Sequence, residues 1–305
     1  MEKKEHFLEK TYIMIFVAMI CCLLWGSAFP CIKTGYRLFN ISGDDAKSQI
    51  LFAGIRFAIA GFMVIITHSI RSKGIVLPKE PKKILVLSLF QTILQYYFFY
   101  VGMAHTTGVK SSIITGAGTF ITLFISALLF KQESLTTRKI VGSLIGFMGL
   151  ILVNVNGKSI DFDLCFNGEG YILIAGLSAA MSSGFIKKFS KDTDVVMLSG
   201  YQFMFGGIIM AAIGGIMGGR LGAVSTEGMA LLLYMGFISA CAYTLWSLLL
   251  KYNDVSKVSA CKFMNPVFGV LLSAVILKEG STLGSYVIVA LLLICLGIFI
   301  VNYKK

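Results

Sequence analysis

Residues 255–279 read VSKVSACKFMNPVFGVLLSAVILKE, a stretch that starts in a basic loop, runs through about twenty mostly apolar residues and ends on an acid. Twenty apolar residues match the hydrocarbon thickness of a bilayer. A helix dissolved in lipid, however, has no reason to carry a lysine (Lys262) or an Asn265–Pro266 pair. The stretch also has a counterpart earlier in the chain. Sliding the sequence by 147 positions lays Lys110 on Lys257, Ser112 on Ser259, Ser126 on Ser273, Ala127 on Ala274 and Lys131 on Lys278. With a one-residue adjustment Gly149 and Asn154 fall on Gly297 and Asn302. The chain reads as two copies of one unit.

Composition sets the class. Of 305 residues, 56% are hydrophobic and 14% charged, with a mean hydropathy of +0.83. A soluble core of this size would need a far larger charged shell, so the composition describes an integral membrane protein. The net charge of +12 does not point to nucleic acid, because the cations sit in short loops between apolar runs rather than on one face. Six of the seven cysteines lie within apolar runs and none has a metal or CxxC spacing, so no metal or cofactor is expected. The first apolar run is too long for a cleavable signal and is followed by more of the same.

On a 20-residue ruler the chain predicts ten spans, near 12–35, 49–70, 83–103, 109–130, 138–156, 169–187, 195–218, 227–250, 257–277 and 282–302. Ten spans put both termini on one side. Of the 27 Lys and Arg, 18 then fall on the side of the termini, in loops near 71–83, 131–139, 187–194 and 251–257 and at the ends; 6 fall on the other side. Positive residues favour the cytoplasm, which predicts a multi-pass protein of the plasma (cytoplasmic) membrane with N- and C-termini inside. Each copy holds five spans, so the second enters from the opposite face. Residues 1–156 and 169–305 would be inverted repeats joined by a connector at 157–168, an all-α arrangement characteristic of secondary transporters.

Several segments resemble the drug/metabolite transporter superfamily in its ten-helix EamA-type branch. They are LLWGSAFPCIK ending at Lys33, GIRF around Arg56, the run from Pro266 to Glu279, and the ending marked by Glu133, Leu135 and Gly142. The resemblance covers nearly the whole chain. It implies a carrier of small metabolites, amino acids among them, often moved outward. Thr119 stands where the second copy has Pro266, and the second copy carries an insertion between Glu279 and Gly297.

Three cations fall inside the spans: Lys33, Arg56 and Lys262. A charge at the bilayer centre costs roughly 2.5–3.5 kcal/mol on insertion scales, so such residues face a cavity or reach for the headgroups. Lys33, at a span end, is read as snorkelling. Arg56 and Lys262 admit both readings, and Lys262 is the preferred solute contact. Steps of three and four align Ser259, Lys262, Pro266, Gly269 and Ser273 in span 9 with Ser112, Thr115, Thr119, Thr122 and Ser126 in span 4. These stripes line a path or simply pack helices. Gln91, Gln95 and Tyr96 share one face of span 3, and the 147-residue slide lays Tyr96 on Tyr243. Trp25, Gln202 and Trp246, together with Asn265, complete the polar-tipped set; for the deep aromatics cavity lining and the interfacial belt both stay open.

No acid lies within a span interior, which disfavours coupling through a buried carboxylate and favours an anionic or zwitterionic solute. The expected partners are a small-molecule solute and the lipid bilayer, and the sequence is compatible with a homodimer. The rival readings are a membrane-embedded enzyme and a receptor or channel. Neither HExxH, paired aspartates nor a Ser–His set occurs within the spans, and no pore-loop signature is present.

Overall fold

The computed structural model describes residues 6–74, 77, 80–106, 108–155, 165–276 and 286–303, which form helices with no strand among them. The first half contains α1 (Thr11–Leu38), α2 (Ala46–Arg71), α3 (Pro81–Met103), α4 (Gly108–Phe124, continued by a π turn over Ile125–Leu129) and α5 (Thr137–Val155). The second half contains α6 (Tyr171–Phe189, entered through a π turn over Phe166–Gly170), α7 (Val195–Ile216) and α8 (Thr226–Tyr252). It continues with α9 (Val255–Ala260), α10 (Met264–Ile276) and α11 (Tyr286–Asn302). Seven of the described helices are long and apolar enough to cross a membrane. Most of the expected connector at 157–168, together with Lys278 and Glu279, lies outside the described residues.

Helix boundaries follow from capping chemistry. Asp45, Asp194 and Ser225 turn side-chain oxygens onto the first free N–H groups of α2, α7 and α8. Outward faces carry large apolar side chains such as Phe16, Ile66, Ile216 and Leu292, between 55 and 88% exposed. An apolar surface on this scale is stable only against lipid.

The helices choose neighbours by a simple rule. α2 lies along α7, α5 along α11, α1 against α8 and α10, and α6 against α3 and α4. Exchanging the two halves of the chain leaves this set of neighbours unchanged. Close approach depends on missing side chains. A Cβ added at Gly54 would sit 2.2 Å from the Ala211 nitrogen, and one at Gly207 would sit 2.3 Å from the Ala58 nitrogen. The α5–α11 pair meets the same way, with a Cβ at Gly297 falling 2.5 Å from the Gly146 nitrogen. Between helices in lipid, where no hydrophobic effect drives association, such backbone proximity supplies the packing energy.

Polar contacts between loops sort them to two ends. At one end Asn253 donates to the Leu8 carbonyl, Lys187 to the Asn253 carbonyl and Lys83 to Asp192. At the other the Gly222 N–H donates to the Phe39 carbonyl, and Lys110 pairs with Glu169 at 3.7 Å. The first end is the cation-rich one.

α1 runs through Pro30 without a break in its helical assignment. In the described part of the 255–279 stretch the helix is broken by a 3-10 turn over Cys261–Phe263, which ends three residues before Pro266. Pro266 itself is the third residue of α10, in the first turn, where its missing N–H leaves no intrahelical bond unmade.

Candidate functional site

A cavity of about 240 Å³ opens between the halves. Each wall has a local origin. α3 contains a π segment over Ser88–Leu94, which widens the helix by one residue per turn; Gln91, Gln95, Tyr96, Phe99 and Tyr100 all reach the cavity from it. α4 contributes Thr115, Gly118, Thr119 and Thr122. The 3-10 turn before α10 presents Lys262, and the first turn of α10 presents Asn265. α1 adds Trp25, α2 adds Arg56, and α8 adds Tyr243 and Trp246.

Of the ten residues proposed from sequence, nine line this one space: Trp25, Arg56, Gln91, Gln95, Tyr96, Thr115, Tyr243, Lys262 and Asn265. Ser259 does not. It is wholly buried where α9 packs against α4 and α11, with no hydrogen-bond partner for its hydroxyl among the described residues. Lys33 is exposed, and the side chain of Ser273 lies outside the described residues. Gln202 is buried away from the cavity, accepting from Thr92 Oγ1 at 2.8 Å.

The sequence reading missed the α6 wall, formed by Ile172, Ala175, Gly176, Ala179, Ser182 and Ser183. Their spacing of three, four and seven is a helical face, legible as a small-residue stripe. Small residues also mark packing, so the stripe alone does not separate a cavity wall from a helix contact.

The floor of the cavity is aromatic. Trp25 lies 5.1 Å from Tyr243 and 5.0 Å from Trp246, Phe203 lies 4.7 Å from Tyr243, and Phe57 lies 4.4 Å from Tyr96. The hydroxyls of Tyr96 and Tyr243 hydrogen-bond to each other, and these residues stand 147 apart, the interval of the internal repeat. Both cations rest on rings: Arg56 Cζ is 4.5 Å from the centre of Phe57, and Lys262 Nζ is 5.2 Å from Trp246.

Electrostatically the space is one-sided. Arg56 and Lys262 line it and no Asp or Glu does, among the described residues. Five buried polar atoms around it have no protein partner there: Trp25 Nε1, Trp246 Nε1, Arg56 Nε, Gln91 Oε1 and Asn265 Oδ1. Each such atom costs about 1–3 kcal/mol if left unmet, so the site holds donors and acceptors for a polar occupant.

Two carboxylates, Glu133 and Glu169, are buried ties at opposite ends. Glu133, 1% exposed at its side chain, accepts from Lys139 Nζ at 2.5 Å, from the Ser256 N–H at 3.0 Å, and from the hydroxyls of Ser126 and Ser256. It thereby fastens the first half to the first turn of α9. Asp254 joins the cluster, 3.5 Å from Lys139 and 3.3 Å from Lys257. Burial pushes its carboxyl up, but the Lys139 and Lys257 ammoniums outweigh that and hold it below its ordinary value. At the other end Glu169 accepts from the Thr106 hydroxyl and from the Cys165 N–H at 2.8 Å. Glu133→Ala strips the buried Lys139 ammonium of its nearest anion. With Asp254 compensating in part, we expect a loss of about 3 kcal/mol, seen as earlier unfolding in detergent. Melting indistinguishable from wild type would show the tie to be idle.

Comparison with known proteins agrees with this architecture. The model of the EamA-like transporter family matches the chain twice, over residues 12–155 and 166–303. A protein of Archaeoglobus fulgidus named as an uncharacterized transporter is 27% identical, covering 95% of this chain and 98% of its own. A probable amino-acid metabolite efflux pump of Salmonella typhimurium is 25% identical, covering 93% of each chain. A solved crystal structure superposes with a TM-score of 0.77 at 16% identity, over 93% of this chain and 94% of the other, a likeness of fold. The chain belongs to the EamA-like transporter family and is a multi-pass membrane protein that carries small solutes.

Proposed function

We propose that the chain is a secondary carrier that moves anionic or zwitterionic metabolites, amino acids among them, by alternating access, as an exporter or exchanger. The observation that carries this reading is the cavity lined by Arg56 and Lys262 with no acid among its described lining. Two fixed cations with no compensating carboxylate favour a solute that brings a negative group and disfavour a polycation. The unmatched Gln91 and Asn265 oxygens supply acceptors for an ammonium, which suits a zwitterion. Trp25 and Trp246 supply indole donors, and Tyr96 and Tyr243 present an aromatic surface to the remainder of the solute.

The architecture in this proposal is ten spans in two inverted five-helix repeats, with both termini in the cytoplasm. Its support is the neighbour set that survives exchange of the halves, the double family match, and the tyrosine pair that meets itself across the repeat interval. Rocking of one repeat against the other would open the cavity to each side in turn, with the Glu133 and Glu169 clusters closing opposite ends. With no carboxylate among the described lining to carry a coupling proton or sodium ion, we infer exchange, facilitated diffusion, or an ion site of backbone and hydroxyl oxygens.

Solute counterflow in proteoliposomes tests the proposal. Amino acids and organic anions are screened with and without preloaded solute, beside a polycationic drug. The Salmonella relative's name puts amino acids first in the screen. We expect trans-stimulated uptake of at least one anion or zwitterion and none of the polycation. Uptake of the polycation alone would overturn the charge argument.

A further inference from the structure

A second hollow, of about 330 Å³, lies at the cation-rich end, where the π turn closing α4 meets the last turn of α6. Its lining includes Lys131, Lys187, Lys188, Lys191, Gln132 and Leu129, with no acidic residue among the described lining. We propose that this hollow is a binding site for a phosphate-bearing anion, separate from the transport cavity, with the headgroup of an anionic lipid as its natural source.

Four ammoniums around one concavity repel one another, and an anion seated among them removes that repulsion. The nearby acids offset this only in part: Asp254, Glu133 and Glu9 reach Lys187 at longer range, and none of them lines the hollow. Glu133 is taken by Lys139, and Asp254 is shared between Lys139 and Lys257. Among the described residues Lys187 Nζ donates to two carbonyls, those of Lys251 at 3.1 Å and Asn253 at 2.8 Å, which hold it in place without carrying charge themselves. Gln132 is likewise anchored, donating to the Gly184 carbonyl at 2.8 Å. Lys188 and Lys191 are exposed.

Lys131 ends the helix in the left-handed conformation, with φ of 51°, as Lys73 does after α2 with φ of 55°. The hollow also borders an apolar face: Leu128 and Leu129 are 63 and 61% exposed on the adjoining π turn. A lysine cluster facing phosphate depth, beside leucines facing acyl-chain depth, matches a lipid at the edge of a membrane. The lipid source rests on the proposed cytoplasmic placement of this end; the phosphate chemistry does not.

The test uses the full chain in a neutral detergent, followed by thermal melting while phosphatidylglycerol, phosphatidylcholine or inorganic phosphate is added. Phosphatidylglycerol is expected to raise the melting temperature saturably, and phosphatidylcholine is not. Combining Lys131→Gln, Lys188→Gln and Lys191→Gln should weaken the apparent affinity roughly 30-fold or more. A charge-matched control, Arg71→Gln with Lys73→Gln and Lys82→Gln, should leave it unchanged. If the triple variant folds poorly, Lys188→Gln alone should give a smaller shift in the same direction. Saturation by inorganic phosphate at similar concentrations would support the site and assign it to a soluble phosphate-bearing solute. Equal responses to both lipids with none to phosphate, or equal losses in the control variant, would overturn it. Melting needs no transport, so absence of solute exchange would bear on the carrier reading and leave this one standing.

Discussion

Lys262→Ala is expected to lower exchange of the transported anion or zwitterion about a hundredfold in proteoliposomes, at unchanged protein level. The ammonium lies over the Trp246 ring in a cavity with no acid among its described lining, so its strongest partner is the solute's negative group. A hydrogen bond to a charged group contributes about 1.5–3 kcal/mol, and 3 kcal/mol is roughly a hundredfold in affinity. Truncation removes a buried charge and leaves no protein anion unpaired, so folding should not suffer. Lys262→Arg, which keeps the charge and changes its reach, should retain part of the activity. Normal transport by the alanine variant would move the anion-binding role to Arg56 and leave Lys262 a bystander.

Gly207→Leu should abolish accumulation of folded protein. The added Cβ alone would sit 2.3 Å from the Ala58 nitrogen and 2.7 Å from the Gly54 carbonyl oxygen, where backbone rather than a movable side chain must yield. Overpacking of a well-fitted contact costs typically 1–3 kcal/mol where neighbours can adjust, and more where they cannot. Because α2 and α7 come from different halves of the chain, their separation would disturb the interface on which the cavity stands. Gly215→Leu, eight residues along the same helix with nothing within 4 Å of its added Cβ, is the matched control and should fold normally. Size-exclusion chromatography in detergent reads both. A wild-type profile for Gly207→Leu would mean the helices pack less closely than the structure has them.

Some of the site was legible because polarity inside an apolar helix is conspicuous. Lys262, Arg56, Gln91 and Gln95 each break a hydrophobic run, and each lines the cavity. The α6 wall was not legible, because Ala175, Gly176 and Ala179 break nothing. Ser259 shows the opposite failure: a hydroxyl on the same stripe as Lys262 that the structure buries among helices rather than at the cavity. Glu133 reads as a helix-end residue and Glu169 as a loop residue, and only their partners on distant segments make them ties.

Sequence alone determined the apolar runs, their length, the uneven distribution of cations and the 147-residue echo. These are local or additive properties, set by the energy of placing each residue in lipid or water. Tertiary structure decided which helices touch, that Tyr96 and Tyr243 meet at the repeat interval, and where the 3-10 turn before Pro266 falls. Those depend on how glycine-scale gaps on distant helices interlock, a property of pairs of surfaces that no single stretch of residues contains.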